Sequence, residues 1–328
     1  MKHARLRRLA CPTAIAPDRL VEEGETITLP LAPGEAFDAE ATFSSGQIFR
    51  WRCQGETWFG PLGASALAVT AREGAVRVTV AGAALPAEAM WRFLGLDWPL
   101  AEVERRLARD RWLRAALAMY PGLRILRQHP WDCVAAFVCA QWSSIAKIES
   151  SLGALAERHG ERVCLRVEGD AVAVRCFPAP ERLAALSEGA FRECGLGYRA
   201  KYVLGSARAV ASGEVELAPL RGLPYEEALA GVLRLPGVGR KVADCILLFC
   251  LDQPRACPID VWVRRALREY YPRAVARHLP DAAARAAGEL SAIERRALVR
   301  FAWERWGELA GHAQQYLFHA RRHGLRAG

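Results

Sequence analysis

Lys241 and Asp260 are the side chains of this 328-residue chain whose types and spacing best suit covalent chemistry. Lys241 closes the run Leu235-Pro236-Gly237-Val238-Gly239-Arg240-Lys241, with amphipathic Tyr225 to Leu233 before it and apolar Val242 to Cys250 after it. That pattern predicts helix, tight hairpin, helix over about 224–250. The glycines allow a turn with φ > 0 and leave bare N–H groups at the start of the second helix, a nest for a phosphate at Gly237, Val238 and Gly239. Lys241 falls in the first turn of that helix, where the dipole opposes its charge, so its amine should release a proton more readily than a surface lysine's. A neutral amine beside a bound phosphate is a nucleophile. Asp260 precedes the helical run Val261 to Leu267 and reads as an N-cap, or, facing Lys241, as a carboxylate that carries chemistry.

The block Leu235 to Asp260 resembles the helix-hairpin-helix, Gly/Pro-rich loop and aspartate signature of the HhH-GPD base-excision DNA glycosylases. Within it, the run from Val242 to Val261 is most similar to the 8-oxoguanine DNA glycosylase branch. The resemblance implies a bifunctional glycosylase/AP lyase that flips 8-oxoguanine out of duplex DNA, excises it through a Schiff base on Lys241 with Asp260 as its partner, and nicks the strand by β-elimination. Two rivals are a monofunctional alkyl-base glycosylase, which keeps the aspartate but uses water, and a non-catalytic helix-hairpin-helix DNA-binding module.

Other stretches extend the resemblance. Gly46-Gln47-Ile48-Phe49-Arg50-Trp51 matches a phrase in which the glycine carbonyl accepts the N7–H that distinguishes 8-oxoguanine from guanine, whose N7 is an acceptor. A plain turn glycine before a strand gives the same letters. Phe137 to Ile148 matches the stretch that fills the gap left by the flipped base and reads the orphaned cytosine. Here Trp142 occupies the place of the probing asparagine and Lys147 that of an arginine. An indole plugs by stacking but has one donor and cannot copy an amide's paired hydrogen bonds, which bears on selectivity for cytosine. As a large aromatic, Trp142 also reads as core. Leu196 to Tyr202 matches a segment whose tyrosine, Tyr198, wedges beside the opened pair and whose arginine, Arg199, donates to the orphaned base. Cys245, one turn beyond Lys241, corresponds to a thiol that pairs with the lysine and helps select the oxidised base; a buried structural thiol fits the spacing equally. Gln314 and Phe318, also one turn apart, match the glutamine that bonds the base's Watson–Crick edge and the phenylalanine that stacks on it, although a phenylalanine at that spacing also suits a core. Trp262 replaces a histidine that some relatives place near the lesion phosphate.

The elements that must position these residues fall into two parts, giving an α+β class. Residues 1–97 read as an antiparallel sheet domain, from short β-branched or aromatic segments between Gly-rich turns: Glu25 to Leu29, Gln47 to Cys53, Thr57 to Gly60, Ala66 to Thr70 and Val76 to Val80. A short helix is expected over Phe37 to Phe43. Residues 98–328 read as an all-α body, with Leu100, Val103, Leu107 and Trp112, Leu113, Leu117 at helical spacing. A charge of +9 and a sequence pI near 9.2 suit a polyanion, here double-stranded DNA containing oxidised guanine. Ten scattered cysteines with no CxxC pair read as buried thiols in a reducing compartment, and no cysteine follows Cys257 to build the iron–sulfur loop of some relatives. No metal and no cofactor are expected. The basic start, Met1 to Leu9, lacks an apolar signal region and no run reaches membrane-spanning length, so a cytoplasmic monomer without a membrane partner is expected.

Overall fold

Valine, threonine and aromatic residues that alternate between short Gly turns favour a pleated, half-buried surface. They form β1 (Glu25–Pro30), β2 (Arg52–Gln54), β3 (Thr57–Leu62), β4 (Ser65–Arg72) and β5 (Ala75–Gly82). The computed structural model describes residues 24–167, 169–279 and 290–326; the basic start and Cys11 lie outside them. The five strands make one antiparallel sheet in the order β1-β5-β4-β3-β2. Its register sets Leu29 opposite Val76, Ile27 opposite Val78 and Leu67 opposite Val80, which puts all of these side chains on one face. That face, which Trp58 of β3 shares, is covered by Phe43, Trp51, Met90 and Phe93. Phe43 stacks 4.5 Å from Trp51 and 5.2 Å from Trp58. It is carried by the helix Ala39–Ser44, which Asp38 caps through a 2.9 Å bond from the Ala41 N–H.

Two sequence expectations are corrected here. The body beyond residue 98 is mainly helical but not all-α: β6 (Arg162–Val167) and β7 (Asp170–Arg175) form an antiparallel pair. The sheet has a second apolar face, Phe59, Ala66, Ala68 and Ala81, and Val163, Leu165, Val174 and Cys176 of this pair cover it. The alternating valines of 163–174 carried that signal. The expected strand Gln47 to Cys53 is reduced to Arg52 and Cys53, extended by Gln54 in β2. Gln47 spends its side chain on loop backbone, and Phe49 leaves the sheet to pack 5.6 Å edge-on against Phe137 of the helical body.

The helices of the body pack mainly in two cores. One gathers Pro130–Cys139 and Arg240–Cys250, with Phe137 stacked 5.4 Å from Phe249. The other gathers Val261–Tyr270, Ala292–Trp306 and Ala310–Arg322. The chain crosses from the first to the second between Cys250 and Val261, so residues on either side of that crossing can meet in the seam.

Candidate active site at a helix-hairpin-helix

The hairpin joins Tyr225–Val232 to Arg240–Cys250. Gly237 has φ +80°, and a Cβ there would lie 2.6 Å from Tyr202 Cβ, so only glycine fits the turn. Gly239 caps the second helix with no side-chain bond, and a Cβ on it would meet nothing within 4 Å, so its backbone faces open space. The Val238 N–H is spent on the Leu235 carbonyl at 3.1 Å. Among the described residues, no acceptor takes the N–H of Gly237, Gly239 or Lys241. Asp244, fully buried, ties the two helices together: it accepts from Tyr225 Oη at 2.5 Å and Arg240 Nε at 3.3 Å, and Arg240 Nη2 reaches Tyr225 Oη at 2.7 Å.

Lys241 extends from the first turn toward the seam, its Nζ 5.8 Å from the centre of the Phe137 ring. One turn on, the Cys245 thiol faces it. Burial pushes this thiol up to about 11, although the charge of Lys241 and a hydrogen bond from it pull the other way. From the other side comes Asp260, the N-cap of Val261–Tyr270. Its Oδ1 accepts both the Trp262 and Val263 N–H groups, at 2.9 and 2.8 Å, while Oδ2 accepts none among the described residues. Burial pushes this carboxyl up; the bond from Val263, the charge of Lys241, the bond from Trp262 and the charge of Arg322 pull it back only in part. Asp260 is thus the expected cap through one oxygen, and it also lies within electrostatic reach of Lys241.

The sheet domain closes the seam. Gly46 has φ +76°, and a Cβ on it would lie 3.3 Å from Phe318 Cε1 and 3.4 Å from Arg322 Nη1. Neighbouring residues hold this glycine tightly. Gln47 donates to the carbonyls of Thr42 and Arg124 at 2.9 and 2.8 Å and accepts from the Leu126 N–H at 2.7 Å. Gln128 donates to the Gln47 carbonyl at 2.7 Å, and Gln315, from the last helix, to the Ser45 carbonyl at 3.1 Å. One turn before Phe318, Gln314 is 4 % exposed and its Oε1 has no partner among the described residues. A buried amide without a partner is costly, which marks a place for a ligand.

A second cluster surrounds the loop after Pro130–Cys139. Trp142 is 80 % exposed with φ +50°, which removes the core alternative. Arg199 holds the loop: Nε donates to the Gln141 carbonyl at 2.6 Å and Nη2 to the Trp142 carbonyl at 2.7 Å. Part of the fork expected to face a base is thus engaged with backbone. Tyr198, 46 % exposed, lies under the Arg199 guanidinium at 4.6 Å and reaches the Gln141 carbonyl at 3.3 Å. Lys147 is exposed on the first turn of Ile145–His159, close to Gly195.

Gln47, Gln128, Gln315 and Arg322 escaped the sequence reading. The available signal for Arg322 was its spacing, one turn beyond Phe318 and two beyond Gln314. Of nine free cysteines among the described residues, eight are buried and Cys53 is exposed, unlike the expected set of buried thiols. No group of three His, Cys, Asp or Glu among the described residues could hold a metal, and no helix among them is long and apolar enough to cross a membrane.

A hairpin with free amides, a lysine in its second helix and a capping aspartate across a seam define the class of HhH-GPD base-excision DNA repair proteins, a family that matches residues 135–287. Residues 29–134 match the 8-oxoguanine DNA glycosylase N-terminal domain. The chain is 34 % identical to the N-glycosylase/DNA lyase OGG1 of Arabidopsis thaliana over 310 residues, covering 89 % of this chain and 76 % of that one. It is 32 % identical to the N-glycosylase/DNA lyase of Saccharomyces cerevisiae over 216 residues, covering 60 % of this chain and 56 % of that one. In structure it is similar to the Clostridium acetobutylicum 8-oxoguanine glycosylase/lyase in complex with dsDNA containing cytosine opposite 8-oxoG, with TM-score 0.74, 28 % identity, and coverage of 88 % of this chain and 93 % of that one. The chain belongs to the 8-oxoguanine DNA glycosylase family.

Proposed function

We infer that this chain is a bifunctional DNA glycosylase/AP lyase that removes 8-oxoguanine from duplex DNA and then nicks the strand. The observation that carries this is Asp260: one carboxylate oxygen is spent on its helix cap while the other is free in a seam that Lys241 enters. A water-using glycosylase needs the aspartate but no lysine there, and a phosphate-gripping module needs neither.

The hairpin amides of Gly237 and Gly239 hold a backbone phosphate, and the damaged nucleotide swings out of the stack into the seam. Its N7–H donates to the Gly46 carbonyl, its Watson–Crick edge meets Gln314, and its ring lies against Phe318, with the Lys241–Cys245 pair on the lysine's side. Lys241 Nζ forms a bond to C1′ as the C1′–N9 bond breaks, the base leaving with the electron pair and taking up a proton. Asp260 accepts the amine's proton and stabilises the positive charge that develops on the sugar. Ring opening gives a Schiff base; loss of a C2′ proton then expels the 3′ phosphate. Trp142 fills the gap in the duplex, Tyr198 wedges beside it, and Arg199 and Lys147 face the orphaned base and its strand. The protein acts as a monomer, in the compartment that holds the genome.

The test is single-turnover cleavage of duplexes carrying 8-oxoguanine opposite each of the four bases. Wild type is expected to release base and nick the strand, Lys241→Gln to do neither. Base release without nicking would point to the monofunctional rival, and binding without release to the DNA-binding module.

A further inference from the structure

The side chains assigned above leave one charged group in the pocket unexplained. Arg322 follows Gln314 and Phe318 along one face of the last helix. Its guanidinium carbon is 5.4 Å from the centre of the Phe318 ring, and its Nη1 would lie 3.4 Å from a Cβ on Gly46. That Nη1 is buried and has no acceptor among the described residues. An open buried donor calls for an explanation, and beside Gly46 and Phe318 a bound ligand supplies one. On this side of the pocket the ligand is the imidazole edge of a purine. Guanine presents there O6, a bare N7 and C8–H; 8-oxoguanine presents O6, N7–H and O8. A carbonyl beside a guanidinium N–H matches N7–H beside an oxygen. The order along the helix decides which oxygen. With the base seated as inferred under the glycosylase reading, Gln314 takes the Watson–Crick end, Phe318 lies under the rings and Arg322 is at the opposite end. That end is where C8 lies beside the sugar, and Arg322 is close enough there to act on Asp260.

We propose that Arg322 is a specificity-determining residue whose guanidinium donates a hydrogen bond to the O8 oxygen that oxidation adds to guanine, next to the Gly46 carbonyl that takes the adjoining N7–H. This rests on the glycosylase reading above. It supplies a second lesion-specific contact, since guanine offers Arg322 only a C–H at that position. The guanidinium also stays near the departing base, where it stabilises negative charge spreading onto O8 as the C1′–N9 bond breaks.

The test uses the full chain with Lys241→Gln, so that substrate is not consumed, and three duplexes alike except at one position opposite cytosine: 8-oxoguanine, guanine, and a tetrahydrofuran abasic analogue that keeps both phosphates but has no base. Adding Arg322→Ala should weaken binding of the 8-oxoguanine duplex by about 10- to 100-fold, as for a lost charge-assisted bond, and leave the abasic duplex within about twofold. Arg322→Lys should recover part of the loss. Arg322→Met keeps the stem against Phe318 and repeats the measurement should the alanine variant lose its fold. An equal loss on both duplexes assigns the guanidinium to a phosphate and overturns the proposal, as does no loss on either. If the protein with Arg322 intact does not prefer 8-oxoguanine to guanine, the glycosylase reading itself fails.

Discussion

Asp260 spends one oxygen on its helix cap and leaves the other without a partner among the described residues, and its ionisation is measurable. Burial holds the carboxyl above its ordinary value, so it ionises later as pH rises. Single-turnover base release should therefore climb with pH as this carboxyl ionises. Asp260→Asn should flatten this limb and lower the rate by about 10²- to 10³-fold, the scale of losing one preorganised electrostatic contact. A wild-type rate independent of pH across the acid range would speak against the role. Trp142 is the other residue whose exposure has a direct consequence. A ring 80 % in solvent, on backbone that Arg199 fixes, is open to stack on a nucleic-acid base. Trp142→Ala should weaken binding to an abasic-analogue duplex by roughly 1–3 kcal/mol, the worth of one aromatic–base stack, measured by fluorescence anisotropy. Lys241, Asp260, Gly46, Gln314 and Phe318 could be singled out as candidates because each lies in a motif with a fixed local spacing. Arg322 was not, because its partner Gly46 lies far away in the chain and a basic residue near a helix C-terminus has an ordinary explanation in the dipole.

At the scale of elements, the hairpin was legible: the helix, turn and helix expected over about 224–250 are found as Tyr225–Val232 and Arg240–Cys250. Glycine and proline punctuate it locally, and local signals are what a sequence displays. The carboxylate that locks the two helices together was not foreseen. Burial pushes Asp244 up to about 6 from the ordinary 3.8, against the pull of Arg240 and Tyr225. Between those values the folded state binds more protons than the unfolded one, so this group's contribution to stability falls as pH rises from about 4 to 6, by about 3 kcal/mol in all. Denaturant unfolding of wild type and Asp244→Asn across that range should show this component in wild type alone; identical pH dependence in the two would refute it. The loop Gln47 to Phe49 was misread as strand for a related reason. Its residues alternate as a strand's do, but Gln47 is wholly buried and spends its amide on the carbonyls of Thr42 and Arg124. That demand outweighs propensity and fixes Gly46 beside Phe318.

Across the whole molecule, the candidate site belongs to no single layer. Lys241 and Cys245 come from one helical core, Asp260, Gln314 and Phe318 from elements of the other, and Gly46 from the sheet domain. The β6–β7 pair, covering the sheet's second face, helps fasten that domain to the helical body. Composition and motifs were enough to indicate a polyanion and its class of chemistry, whereas the assembly of three parts around one seam depends on contacts far apart in the chain. The amine that bonds to the sugar decides whether Lys241 is the nucleophile. The sequence holds four lysines, Lys2, Lys147, Lys201 and Lys241, so the linkage can be located. Borohydride reduction of the wild-type protein acting on an 8-oxoguanine duplex, followed by proteolysis and mass mapping of the adduct, should place the deoxyribose fragment on the peptide containing Lys241. Free base and an intact abasic strand with no adduct, or an adduct on another amine, would contradict it.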